Sequence, residues 1–126
     1  MGNWQLDVLM ELGRRLEGDV WRGVVRAAGV ENEWFGAGQV AGAAEVLRRE
    51  MLERERLERW LAGYEKPAGW SPGRVGVVMA GNLPLVGVAD LAAVVAVGHE
   101  AVVKPSSKDR VLMEYVARVL REAGAA

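Results

Sequence analysis

Five polar side chains in the second half of the chain have types and spacing that could do chemistry together: Asn82, Lys104, Ser106, Ser107 and Lys108. Asn82 brings a carboxamide, the two lysines bring ammonium groups and the two serines bring hydroxyls. Donors of these kinds suit a hydroxylated or phosphorylated ligand. Each also has a plainer reading, because asparagine is common in turns and a lysine can simply close a strand before a capped turn. On local grounds the plainer reading leads for both, and it is their shared placement that makes this the region in which to seek function. Asn82 follows one apolar run, and Lys104-Pro105-Ser106-Ser107-Lys108 follows another.

Other chemistries lack material. The chain has no cysteine, so it has no disulfide framework, no thiolate metal site and no thiol nucleophile of its own. His99 is the only histidine and sits in the Gly98–Glu100 turn, which suits an exposed turn residue better than a base or a metal ligand. Gly81 and Gly87 flank Asn-Leu-Pro-Leu-Val, but neither standard phosphate-loop pattern is present.

The elements that must position the five residues can be read from the surrounding pattern. Val75, Val77, Val78 and Met79 form a short apolar run rich in β-branched residues, which predicts a strand buried on both faces. Ala80 to Pro84 is a turn in which Gly81 and Asn82 tolerate unusual backbone angles and Pro84 can open a helix. Leu85 to Val97 then reads as a mostly apolar helix stopped by Gly98, and Ala101-Val102-Val103 reads as a second strand. Strand, helix and strand make a βαβ unit with parallel strands. Asn82 and the Lys104–Lys108 segment then share the rim at the strands' carboxyl ends, where open α/β sheets bind ligands. Asp109 is expected to cap a last helix carrying Val111, Leu112, Tyr115, Val116, Val119 and Leu120 on its apolar face, ended by Gly124.

The first half is helical in pattern. Leu6, Leu9, Met10 and Leu16 share a face after an Asn3 cap. Gly18 and Asp19 mark a break and a new cap, and Trp21, Val24, Val25 and Ala28 line a second helix. Asn32 to Gly38 is read as a turn that plugs Trp34 and Phe35 into the core. A third helix runs from about Gln39, with a break near Arg54 and an end at Gly63. Its charges form Glu45–Arg49, Glu50–Arg54 and Glu55–Arg59, three i,i+4 pairs contributing about 0.2–0.5 kcal/mol each. That charge run reads first as a solvated face. Lys66 to Gly73 holds two prolines and two glycines and is the clearest linker.

Length and composition bound the answer. The 126 residues fit one ordinary domain or a piece of a larger one. Apolar residues make up 51% and charged residues 26%, a globular balance. With 16 basic and 17 acidic residues the net charge is −1, which argues against nucleic acid as a partner. No membrane span or secretory leader is evident, so the expected location is cytoplasmic. Two parallel strands are too small a sheet to stand alone. Helices could cover its edges, a homo-oligomer or a partner chain could supply strands, or a C-terminal segment could be missing. The last option is favoured.

Taken together these residues resemble the N-terminal part of the aldehyde dehydrogenase superfamily, which has a strand, an Asn-x-Pro-aliphatic turn, a helix ending at glycine, a second strand and Lys-Pro-Ser. The matching letters are Asn82-Leu83-Pro84-Leu85, Gly98 and Lys104-Pro105-Ser106. The run Met79 to Gly87, Asp90, the Gly98-His99 turn and residues 104–109 look most similar to the acyl-CoA reductase branch, related to the fatty-acid reductase of bacterial bioluminescence. Asn32-Glu33-Trp34-Phe35 and Leu57 to Leu61 look like that branch too.

The resemblance implies an α/β fold: a helical N-terminal segment over 1–66, a linker over 67–73 and a partial, Rossmann-like βαβα NAD(P)-binding unit with parallel strands over 74–126. It implies reduction of an acyl-CoA or other acyl thioester to a fatty aldehyde with NADPH or NADH. Asn82 would then donate to the oxyanion on the acyl carbon. Lys104 would bond the adenine-ribose hydroxyls or a 2′-phosphate, with Ser106, Ser107 and Lys108 beside it. Ser107 stands where many NAD-preferring relatives carry glutamate, so NADP(H) is favoured over NAD(H). The family's nucleophilic cysteine, general base and later glycine motif have no counterpart here, and the chain is not expected to complete thioester reduction alone. A non-catalytic nucleotide-binding module, or a helical interaction module acting through a partner chain, is the alternative.

Overall fold

A computed structural model describes residues 4–125, so the expected Asn3 cap lies outside the described residues. Four helices come first: α1 (Trp4–Arg15), α2 (Asp19–Glu31), α3 (Ala37–Glu50) and α4 (Arg54–Ala62). A second part follows as β1 (Arg74–Val78), α5 (Val88–Ala96), β2 (Glu100–Lys104), a short 3-10 turn (Ser107–Asp109) and α6 (Arg110–Ala123). The architecture is mixed helix and sheet. β1 and β2 pair in parallel, with Arg74 opposite Glu100 and Val78 opposite Lys104.

The core is a single apolar cluster that draws on both parts. Leu6, Leu9 and Leu12 of α1 and Trp21 and Val25 of α2 join Leu112, Val116 and Val119 of α6. Helices α1 and α2 pack on α6, and α1 also packs on α5. Tyr115 reinforces that seam: its hydroxyl donates to the Arg15 carbonyl at 2.7 Å and its ring lies 5.6 Å from that of Trp21. Helix α6 closes as its sequence predicts. Gly124 takes a left-handed φ of 117°, which turns the Ala125 N–H back onto the Leu120 carbonyl at 2.9 Å.

Several local expectations are corrected. The β1 strand is not buried on both faces: Val77 and Met79 point into the core, whereas Val78 is 81% exposed and Val102, on the neighbouring strand, 52%. Strand alternation explains this, because only one layer of helices packs against the two strands. Helix α5 starts at Val88 and not at Pro84, since Leu85 adopts φ 61°, outside the helical region. The α3–α4 break at Met51–Glu53 separates Glu50 from Arg54. Glu45–Arg49 and Glu55–Arg59 do form, both at 3.9 Å, but Arg54 pairs with Asp7 and Glu50 with Arg56 at 3.1 Å. Asp19 is the first residue of α2, not its cap, and pairs with Arg22. Phe35 is buried as expected. Trp34 is not: it is 84% exposed.

No described helix is long and apolar enough to cross a membrane.

Candidate functional site

The parallel pairing brings the carboxyl ends of both strands to one place. The Met79 N–H donates to the Lys104 carbonyl at 3.0 Å, continuing the ladder to the strand ends. Beyond this point the chain leaves β1 through the 80–87 turn and leaves β2 through Pro105 and the 3-10 turn. The two turns touch closely because Gly81 lacks a side chain. A Cβ there would overlap the Ser106 hydroxyl and stand 2.5 Å from the Ser106 Cβ. Gly87 does the same service beneath, where a Cβ would lie 2.5 Å from the Met79 sulfur. Neither glycine has positive φ, so close approach and not unusual backbone angles accounts for both.

The positive φ of this turn falls on Leu85. A left-handed backbone costs a non-glycine residue roughly 1–2 kcal/mol and needs support from its surroundings. Two contacts supply it. The Leu85 side chain is buried, and its N–H donates to Asp109 Oδ2 at 2.8 Å. The expected cap role of Asp109 is therefore replaced: its carboxylate makes no capping bond to α6 and pins the Asn82-bearing turn. Asp109 is 2% exposed and its Oδ1 has no partner among the described residues. Burial pushes its carboxyl up to about 6, against the lowering effect of the Leu85 N–H.

Between these turns and the α2–α3 connection lies an open cleft of about 520 Å³. Gly81, Asn82, Ser107 and Lys108 line one side, Asn32 and Trp34 the other. Asn32 ties the walls together. Its Nδ2 donates to the Lys108 carbonyl and its Oδ1 accepts from the Trp34 N–H, both at 3.0 Å. Glu31 also borders the cleft, but Arg110 neutralises it through bonds of 2.9 and 3.2 Å. Lys108 makes no ion pair among the described residues, so it sets the sign of the cleft.

Of the five polar residues read from the sequence, the structure thus gathers Asn82, Ser107 and Lys108 on one wall. Ser106 serves the scaffold, its Oγ accepting from the Lys108 N–H at 3.2 Å. Lys104 ends β2 at the same end of the sheet, yet is not part of the cleft lining; strand alternation puts it on the face shared with exposed Val102. His99 has a structural task at the opposite end. Its Nδ1 accepts from the Gly73 N–H at 2.9 Å and its ring stacks 5.4 Å from Trp70. Among the described residues no group of three or more His, Asp or Glu could hold a metal ion.

Sequence reasoning missed Trp34, Asn32 and Asp109 as members of this region. The polar neighbours Asn32 and Glu33 were the available signal that Trp34 lies on the surface. Comparison of the chain with protein-family models, curated proteins and solved structures finds no match.

Proposed function

We propose that this chain is the cofactor-binding portion of an NAD(P)H-dependent acyl thioester reductase, of the acyl-CoA reductase type within the aldehyde dehydrogenase superfamily, with a Rossmann-like α/β unit. The observation that carries the reading is the convergence of Asn82, Ser107 and Lys108 on one cleft at the carboxyl end of a parallel strand pair. That is the end at which open α/β sheets take nucleotides.

In this reading the cofactor is NADP(H) in preference to NAD(H). The Lys108 ammonium and Ser107 hydroxyl bind a ribose phosphate, and Glu31, the carboxylate in the cleft lining, is held away from it by Arg110. Lys104 ends β2 outside the cleft lining, and its contact with the ribose hydroxyls is carried by the resemblance of Lys104-Pro105-Ser106 alone. The Asn82 carboxamide donates to the oxyanion that develops on the thioester carbon, a contact whose loss typically costs about 10²–10³ in rate. Asp109 acts through the turn and not on substrate. The thiolate that accepts the acyl group belongs to residues outside these 126, since the sequence contains no cysteine.

Calorimetric titration of the chain with NADPH and NADH tests the cofactor claim. The expected result is saturable micromolar binding of NADPH, weaker binding of NADH, and a Ser107→Glu variant that loses about tenfold in NADPH affinity while keeping NADH, through repulsion of the 2′-phosphate. Failure of both cofactors to bind would end the reading.

The bare valines Val78 and Val102 favour a second reading, a module that works through a partner chain seated on the sheet. Sedimentation of the isolated chain as a well-behaved monomer counts against that reading.

A further inference from the structure

Trp34 is the large aromatic side chain of the cleft wall that stands in solvent. Leaving an indole in water forgoes the roughly 1.5–3 kcal/mol that covering a large apolar side chain contributes. Its placement is nevertheless fixed. Asn32 accepts the Trp34 N–H through one atom of its carboxamide and donates to the Lys108 carbonyl through the other, so one side chain sets the indole-bearing turn against the residue that carries the cleft's cation. With Glu31 paired to Arg110, the lining presents an aromatic plane, an unpaired ammonium, a hydroxyl and a carboxamide. A flat base answers the first and a phosphate answers the second and third.

We propose that Trp34 is a base-stacking residue: the cleft takes an adenosine phosphate with its base on the indole and a phosphate on Lys108 and Ser107. The inference rests on the nucleotide-binding reading above and adds a ligand contact from the helical half of the chain. Adenosine with a second phosphate on the ribose has two sources in the proposed reaction. NADPH carries it at the 2′ position, and the coenzyme A of an acyl thioester carries it at the 3′ position.

Calorimetry with 2′,5′-ADP and 3′,5′-ADP on the wild-type chain and on Trp34→Ala and Trp34→Phe variants tests this. Trp34→Ala should weaken the better-bound nucleotide about 5- to 150-fold, the range expected for loss of one base–aromatic stack, and Trp34→Phe should retain most of the affinity. Circular dichroism checks that the variants keep the fold, which the exposure of Trp34 favours. Tighter binding of 2′,5′-ADP assigns the cleft to the dinucleotide, and tighter binding of 3′,5′-ADP assigns it to the thioester carrier. Either ranking supports base stacking when Trp34→Ala weakens the better-bound probe. Unchanged affinity in Trp34→Ala overturns it, as does failure of both probes in a chain that binds NADPH. If NADPH also fails, the nucleotide reading falls with it.

Discussion

The two ends of the β1–β2 sheet are both polar, and they differ in what their polar groups are doing. At the amino end the groups satisfy one another. His99 accepts the Gly73 N–H, Arg74 pairs with Glu100 at 3.1 Å, and Trp70 is held between His99 and the Lys66 ammonium, which lies 4.0 Å from its ring centre. At the carboxyl end the backbone is equally well tied, through Gly81, Asn32 and Asp109, but the side chains of Asn82, Ser107 and Lys108 have no hydrogen-bonding partner among the described residues. A rigid frame that presents unspent donors is what a ligand site needs, because ordering costs have been met before the ligand arrives. The amino end spends its polar groups on the fold, whereas the carboxyl end leaves them available, as the proposed binding site requires.

The largest expected break in that contrast is Gly81→Ala. The added methyl has to displace Ser106, so the variant should lose up to about 3 kcal/mol of stability and push the two rim turns apart. A denaturant melt and an NADPH titration on the same sample check it. Both stability and binding should fall, whereas disruption at the amino end should touch stability alone.

Asp109 sharpens the contrast through pH. Its carboxyl titrates near 6 in the folded chain against an ordinary value of 3.8. A raised value means that the folded state holds the proton more tightly, so stability is highest with the group protonated and falls as pH rises through about 6. Relative to Asp109→Asn, the wild-type chain should lose about 2 kcal/mol between pH 4 and pH 7. Melts of both proteins at the two values measure this, and parallel pH profiles would contradict a buried charge under the Asn82 turn.

The smallest effect is expected from His99→Ala. It removes a partly exposed hydrogen bond and a ring stack, costing about 1 kcal/mol, and should leave nucleotide affinity unchanged.

Much of this frame was legible in the sequence for identifiable reasons. A run of β-branched residues, a Gly-Asn-Leu-Pro turn, an apolar helix and a second valine run specify two strands and a crossover, and the pairing follows from their order. Helix ends at Gly63 and Gly124 were equally visible. What was hidden depends on contacts between distant residues. An aspartate before a helix looks like a cap until Leu85, 24 residues earlier, offers a strained N–H in need of an acceptor. A tryptophan beside phenylalanine looks like core until only one of the two finds room there. Valine runs likewise predict two buried faces without revealing that a single helical layer is present to cover them. The site was readable as a set of donors on one rim. Its far wall, Asn32 and Trp34, was not, because it comes from the helical half of the chain.

The most direct test of the carboxyl-end assignment is a ¹H–¹⁵N correlation spectrum recorded while NADPH is titrated into the chain. The account predicts shifts concentrated at Gly81, Asn82, Ser107, Lys108 and the Trp34 indole, with Gly73, Arg74 and His99 still. Shifts centred on the amino end, or an unchanged spectrum at millimolar NADPH, would contradict it.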